Sequence, residues 1–283
     1  MIRLDAATVL LQWAVGGLAF LWVTTRRREV SLGYGWLLRG SYGLMAVGAL
    51  FVGLRYGEPV RGRDVASAGV IVATGVALLV SILRRKVGVS GEKALASART
   101  ERVAAMTGIE REREENEAGA EFPPWLDLIA PAIGLVGLVI AGAAAGDPDA
   151  LSIARVVVGA LFLGAVSDAM LLGHWYLVQP GMPRGPLLEL VRDTAILWPF
   201  ELVVMLWPVG MVSVINGTID DGYNGLLGWM WIACAITTIV LLGVTRAALK
   251  ERQYSAVMAA TGLLYLAILT AFGMDLVARA CLA

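Results

Sequence analysis

Between Asp168 and Asp193 the chain gathers residue types that can bind, orient or move protons. The stretch reads DAMLLGHWYLVQPGMPRGPLLELVRD. It holds the only histidine, His174, next to Trp175 and Tyr176, followed by Arg184, Glu189, Arg192 and Asp193. Histidine and carboxylates take up and release protons near neutral pH, the chemistry a quinone headgroup or a proton relay needs. Asp168 opens the stretch inside an apolar run, and Glu201 follows it in WPFELVVMLWP. An ionisable group in lipid is costly, so both acids are site candidates by default. Pro199 and Pro208 flank Glu201 and each removes a backbone N–H. Broken helices at membrane depth persist where protein or a watery cavity supports the freed groups, so Glu201 points to a cavity.

Spacing limits what these residues can do together. Asp168 and His174 are about 240° apart around a helix and about 9 Å apart along it, so they cannot pair directly. They can flank one pocket, Asp168 deeper and His174 nearer the mouth. Glu189, Arg192 and Asp193 stand at i, i+3 and i+4 and share a face that would supply the other wall. Between Gln179 and Pro186 three prolines and two glycines make a shaped turn, and Pro186 suits the first turn of a new helix. Arg184 and Arg192 would offer positive charge to an anionic group there. A plainer account makes His174 an interfacial residue, Trp175-Tyr176 an aromatic anchor and Glu189–Arg192 a surface ion pair.

Counting removes several classes. One histidine rules out bis-histidine haem and any multi-histidine zinc or copper site within the chain, so no metal site is expected. A single histidine can ligate haem, with or without a methionine, but nothing singles out a methionine partner and haem is not the expectation. The cofactor is left open, and a quinone is compatible with these residues. Cys234 and Cys281 sit in apolar surroundings without metal-ligand spacing. All three lysines, Lys86, Lys93 and Lys250, sit in charged segments, which argues against a retinal Schiff base. There is no phosphate-binding loop, dinucleotide fingerprint or serine-nucleophile motif. Lys+Arg and Asp+Glu are both 23, so no basic field invites nucleic acid.

The elements that position these residues follow from hydropathy. Of 283 residues, 58% are hydrophobic and only 16% charged, and mean hydropathy is +0.73. Apolar runs long enough to cross a bilayer recur along the chain. The expected fold is all-α: a polytopic integral membrane helical bundle of about eight transmembrane helices. The spans expected are 6–25, 34–55, 65–83, 125–145, 151–177, 195–215, 225–246 and 255–278. Clusters at Arg26–Arg28, Arg84–Lys86 and Arg246–Arg252 follow spans one, three and seven. Basic residues mark the cytoplasmic side, so the N- and C-termini are both expected outside, as in a bacterial-type cytoplasmic (inner) membrane. The basic cluster follows the first apolar run, the order of a retained helix and not of a signal peptide. Arg61 and Arg63 dissent from the charge rule. Arg39 and Arg155 are expected to snorkel to the headgroups, and Asp127 and Asp275 to sit at the interface.

The organisation expected is a three-helix part (1–86), a charged cytoplasmic connection (87–124) and a five-helix part (125–283). Leu95, Val103, Met106 and Ile109 give the connection a weakly amphipathic face, and EREREENE after it is polar all round. It can be a solvated connector or a docking site for a partner.

Three functions fit. The first is an electron-transfer or quinone-site subunit of a larger membrane complex, with a protonatable site near the cytoplasmic interface and redox partners docking through 87–124. The second is a proton-coupled transporter or lipid-headgroup handling protein, with Asp168 and Glu201 as coupling carboxylates. The third is a structural subunit whose polar residues only join helices. The bilayer is a partner in all three.

Overall fold

A computed structural model describes residues 5–107, 119–146, 149–179 and 182–282. Asp5 starts the first helix, α1 (Ala6–Thr25), by accepting from the backbone N–H groups of Ala7 and Thr8. Such a cap contributes about 1 kcal/mol. The chain continues through α2 (Leu32–Arg55), α3 (Arg61–Leu83) and the polar α4 (Ser90–Thr107). A 3-10 turn at Pro124–Leu128 leads into α5 (Ile129–Ala144), then α6 (Asp149–Val178) and α7 (Gly185–Leu206). The short α8 (Gly210–Ile215) precedes α9 (Leu226–Lys250) and α10 (Tyr254–Cys281). The described residues form no strand. Ile109 and the EREREENE run lie outside the described residues.

Among the described residues, seven segments are long and apolar enough to cross a membrane: α1, α2, α3, Pro124–Ala144, α6, α9 and α10. The outer helices turn Leu44, Phe51, Leu54, Val65, Leu83 and Leu269 away from the bundle. Large apolar side chains exposed this densely belong in lipid. The chain is therefore compatible with a helical membrane bundle.

Helix α7 departs from the expected span at 195–215. It begins at Gly185, carries Pro199 inside and stops at Leu206. Pro186 sits in its first turn, where a missing N–H costs nothing. Pro208 has no N–H for the carbonyl of Val204, and the chain bends before α8 resumes.

Helices α1 and α6 are the most enclosed of the long apolar helices. They cross at glycines: a Cβ on Gly16 would strike the carbonyl of Ala160, and one on Gly164 would strike the backbone of Gly16. Missing side chains let the two backbones touch, the usual device for packing helices in lipid. The core is continuous across the long connection, since α3 packs on α5, and α1 on α5 and α6.

Candidate functional site

The densest buried polar cluster is carried by four helices at a common depth. Gln12 lies six residues after the start of α1, Arg155 six after the start of α6, and Asp275 six before the end of α10. At 1.5 Å per residue each is about 9 Å inside the same end of the bundle. Glu201 reaches that depth from the C-terminal part of α7.

Asp275 and Arg279 share a face of α10 at i and i+4. Arg279 donates through Nε to Asp275 Oδ2 at 2.7 Å and through Nη2 to Asp275 Oδ1 at 3.1 Å. Nη2 also donates to Gln12 Oε1 at 2.6 Å, tying α10 to α1. Both ion-pair partners are fully buried. Gly159 of α6 closes against them: a Cβ there would lie 2.5 Å from Gln12 Nε2 and 2.9 Å from Asp275 Oδ1. Any larger residue would push the cluster apart.

Arg155 does not snorkel. Its Nε donates to the carbonyl of Val204 at 2.8 Å and its Nη2 to that of Trp207 at 2.8 Å. Pro208 leaves the Val204 carbonyl without its helical partner, and the guanidinium takes that place. A charged donor thus mends the end of α7 and brings positive charge beside Glu201.

Glu201 is the least satisfied group in the cluster. It is fully buried, no N–H or hydroxyl donor reaches either carboxyl oxygen, and the Asp275 carboxyl lies within hydrogen-bonding reach of it. Its nearest charged neighbours are Asp275, Arg279 and Arg155. Gln12 Nε2 and Arg279 Nη1 are likewise buried without partners. Buried polar atoms are nearly always paired, so several unpaired atoms in one cluster mark a place prepared for water or for a change of protonation.

Asp168 forms a second buried site nearer the middle of the bundle. Tyr42 donates to its Oδ1 at 2.5 Å, and Tyr34 donates to its backbone carbonyl at 3.4 Å. Oδ2 is buried and unpaired. The Tyr42 ring lies flat where Gly17 has no side chain. On α6, Asp168 faces α2, whereas His174 faces α10 and lies exposed with Tyr265, whose hydroxyl is 3.0 Å from Nδ1. The two residues do not share a pocket.

The remaining sequence candidates serve the opposite end of the bundle. Tyr176 is buried and donates to the carbonyl of Pro183, holding the turn after α6. Arg184 donates to the carbonyls of Leu249, Glu251, Arg252 and Gln253, which closes the α9–α10 connection. Its donors are spent on backbone. Glu189 accepts Arg26 at 2.6 Å and pairs with Arg27 at 3.0 Å, clamping the end of α1 to the start of α7. Arg192 pairs with its neighbour Asp193 at 2.8 Å on the surface.

Arg39 is also buried where snorkelling was expected. It holds Asp127 bidentately at 2.8 and 2.7 Å, with the Phe122 ring 4.4 Å from its guanidinium carbon. Among the described residues, no group of three or more His, Cys, Asp or Glu is placed to hold a metal ion. Family models, curated proteins and solved structures give no match to the chain.

Gln12 and Arg279 escaped the sequence reading. Oppositely charged residues at i and i+4 inside the apolar run AFGMDLVARAC were a signal for the Asp275–Arg279 pair; nothing local singled out Gln12.

Proposed function

We propose that this chain is a proton-coupled integral membrane protein in which Glu201 takes up and releases the coupled proton. The observation that carries this is the Glu201 carboxyl, buried in the bundle with no donor group on either oxygen, set against the Asp275 carboxyl and bordered by Arg279 and Arg155. A buried carboxylate that accepts no hydrogen bond is costly, so in this reading the group carries its proton until a donor reaches it. When the proton leaves, Arg155 and Arg279 against the single charge of Asp275 give the cluster one net positive charge to receive the carboxylate. Asp168, hydrogen-bonded to Tyr42, is the second coupling carboxyl.

In this reading the chain crosses a bacterial-type inner membrane eight times, with α7 and α8 making the sixth crossing. Arg26–Arg28, Arg84–Lys86 and Arg246–Arg252 lie on the cytoplasmic side, together with the 87–124 connection. Both termini are outside. Arg63, which breaks the charge rule, is buried and paired with Asp5 and Asp64, so it presents no free positive charge on that side.

The test is proton uptake into liposomes carrying the purified protein and an internal pH dye, under an acid-outside gradient. Wild-type uptake above that of empty liposomes, lost in Glu201→Gln and kept in Glu201→Asp, supports the reading. Wild-type uptake no faster than that of empty liposomes overturns it.

A second reading rests on the His174–Tyr265 pair. An exposed imidazole and a phenol on adjacent helices, turned toward lipid, suit the two oxygens of a quinone headgroup, and 87–124 would dock the redox partner. Quinone that co-purifies with wild type and is lost from His174→Ala supports it. Equal retention in the two proteins removes it.

A further inference from the structure

A proton site about 9 Å inside the bundle needs a connection to water. The same end of the molecule carries a cleft of about 490 Å³. Helix ends surround it: Asp5, Ala6 and Thr8 of α1, Tyr56 after α2, Arg63 of α3, and Ala145 after α5. Its polar wall is already saturated. Asp5 accepts from Ala7 N, Thr8 N, Thr8 Oγ1 and Arg63, and Arg63 is also paired with Asp64. A wall of this kind wets the cleft but leaves no vacant group on Asp5 or Arg63 to hold a solute.

The floor of the cleft lies one helical turn from the Gln12–Arg279–Asp275 cluster. Thr8 and Val156 line the cleft. One helical turn further in, on the same faces, stand Gln12 below Thr8 and Gly159 below Val156. At Gly159 the missing side chain leaves Gln12 Nε2 and Asp275 Oδ1 against the α6 backbone. Gln12 Oε1 is held by Arg279, so the amide orientation is fixed. Its Nε2 is buried with no partner, as is Arg279 Nη1.

We propose that this cleft is the aqueous port of the Glu201 site and that Gln12 is the relay between them. The proposal rests on the reading of Glu201 as the proton carrier. A hydronium in the cleft passes its proton to a water held by Gln12 Nε2, and that water passes one on to the Glu201 carboxylate. One O–H bond forms on Glu201, one is lost from hydronium, and no electrons are exchanged. The charged groups around Glu201 are Asp275 and Arg279 on α10 and Arg155 on α6. Helices α8 and α9 also pack on α7, and none of their buried residues is charged. Two cations flank the route, Arg63 at Thr8 and Arg279 at Gln12, and each is paired with a carboxylate: Arg63 with Asp5 and Asp64, Arg279 with Asp275.

The experiment is infrared spectroscopy of the full chain in lipid nanodiscs, following the protonated carboxyl band that Glu201→Gln removes. Its hydrogen–deuterium exchange is timed after transfer to D2O. Ala145→Trp and Val60→Trp plug the cleft from two different walls, and Gln12→Leu removes the relay without touching the cleft. All three are expected to keep the band and slow its exchange about tenfold, an added barrier of about 1.4 kcal/mol. Leu44→Trp, on the exposed face of α2 away from the cleft, is expected to leave it unchanged. A band whose exchange ignores both plugs and Gln12→Leu, or slows as much in Leu44→Trp as in the plugs, overturns the port while sparing Glu201 as the carrier. Absence of any Glu201-dependent band overturns the carrier and the port together.

Discussion

Replacing Asp275 with Asn tests whether Glu201 and Asp275 are interchangeable counter-ions of Arg279. The pair being broken is fully buried, with contacts of 2.7 and 3.1 Å. Removing one partner of such a pair costs about 3–5 kcal/mol, because the other charge is left uncompensated. Here a replacement is at hand, since Glu201 borders the same guanidinium. By giving up its proton in Asp275→Asn it restores one negative charge to the cluster. The remaining cost is then the lost bidentate geometry, about 1.5–3 kcal/mol for hydrogen bonds to a charged group. Adding Glu201→Gln removes the replacement, and Arg155 and Arg279 face each other with no carboxylate. The double variant is therefore expected to lose the full 3–5 kcal/mol, roughly, and the two changes to couple by about 1–3 kcal/mol. Glu201→Gln alone removes no ion pair and should be near neutral. Unfolding in mixed micelles titrated with SDS, followed by tryptophan fluorescence, measures all four proteins. Strict additivity would refute the argument, because it would mean that Glu201 never substitutes for Asp275.

Two further predictions concern regions away from that cluster. Asp127→Leu strands the buried Arg39 and is expected to cost about 3–5 kcal/mol, whereas Asp127→Leu with Arg39→Leu recovers most of it; the same titration reads both, and a double variant as unstable as the single refutes this. Asp221, in the connection before α9, accepts from the N–H groups of Tyr223, Gly225 and Leu227. Slight desolvation pushes its carboxyl up, but the amides of Gly225, Tyr223, Leu227 and Gly228 together outweigh it and hold it below the usual aspartate range. A lowered native value means that its stabilisation of the start of α9 is complete above about pH 4 and fades as the pH falls through that lower value. Protection factors at Gly225 and Leu227 should therefore drop in acid in wild type, and be lower and pH-independent in Asp221→Asn; a wild type without the acid step refutes the assignment.

The long apolar helices were legible because length and apolarity are local properties of the sequence. The expected 6–25 is α1 to the residue, and α2, α3, α5, α6, α9 and α10 begin and end within four residues of their expected spans. Pro199 and Pro208 drew attention to Glu201, which lies buried in the bundle, but the sequence could not place the helix around them. Pro186 permitted a start at Gly185, and Arg155, distant in sequence, decided how the end was mended. The partners were illegible for the same reason. Arg39 meets Asp127, 88 positions away, and Arg279 meets Gln12, 267 positions away, so no window of sequence contains either pair. Snorkelling was the expectation for an arginine considered alone, and a buried carboxylate within reach removes the need for it. The 168–193 stretch drew attention by its density of polar residues, yet Arg184, Glu189 and Tyr176 hold turns and helix ends together. The chemically unsatisfied groups, Glu201 above all, sit singly on four helices. In a bundle, a functional site is assembled by depth: residues matched in distance from one end of their helices meet, whatever their separation in the chain.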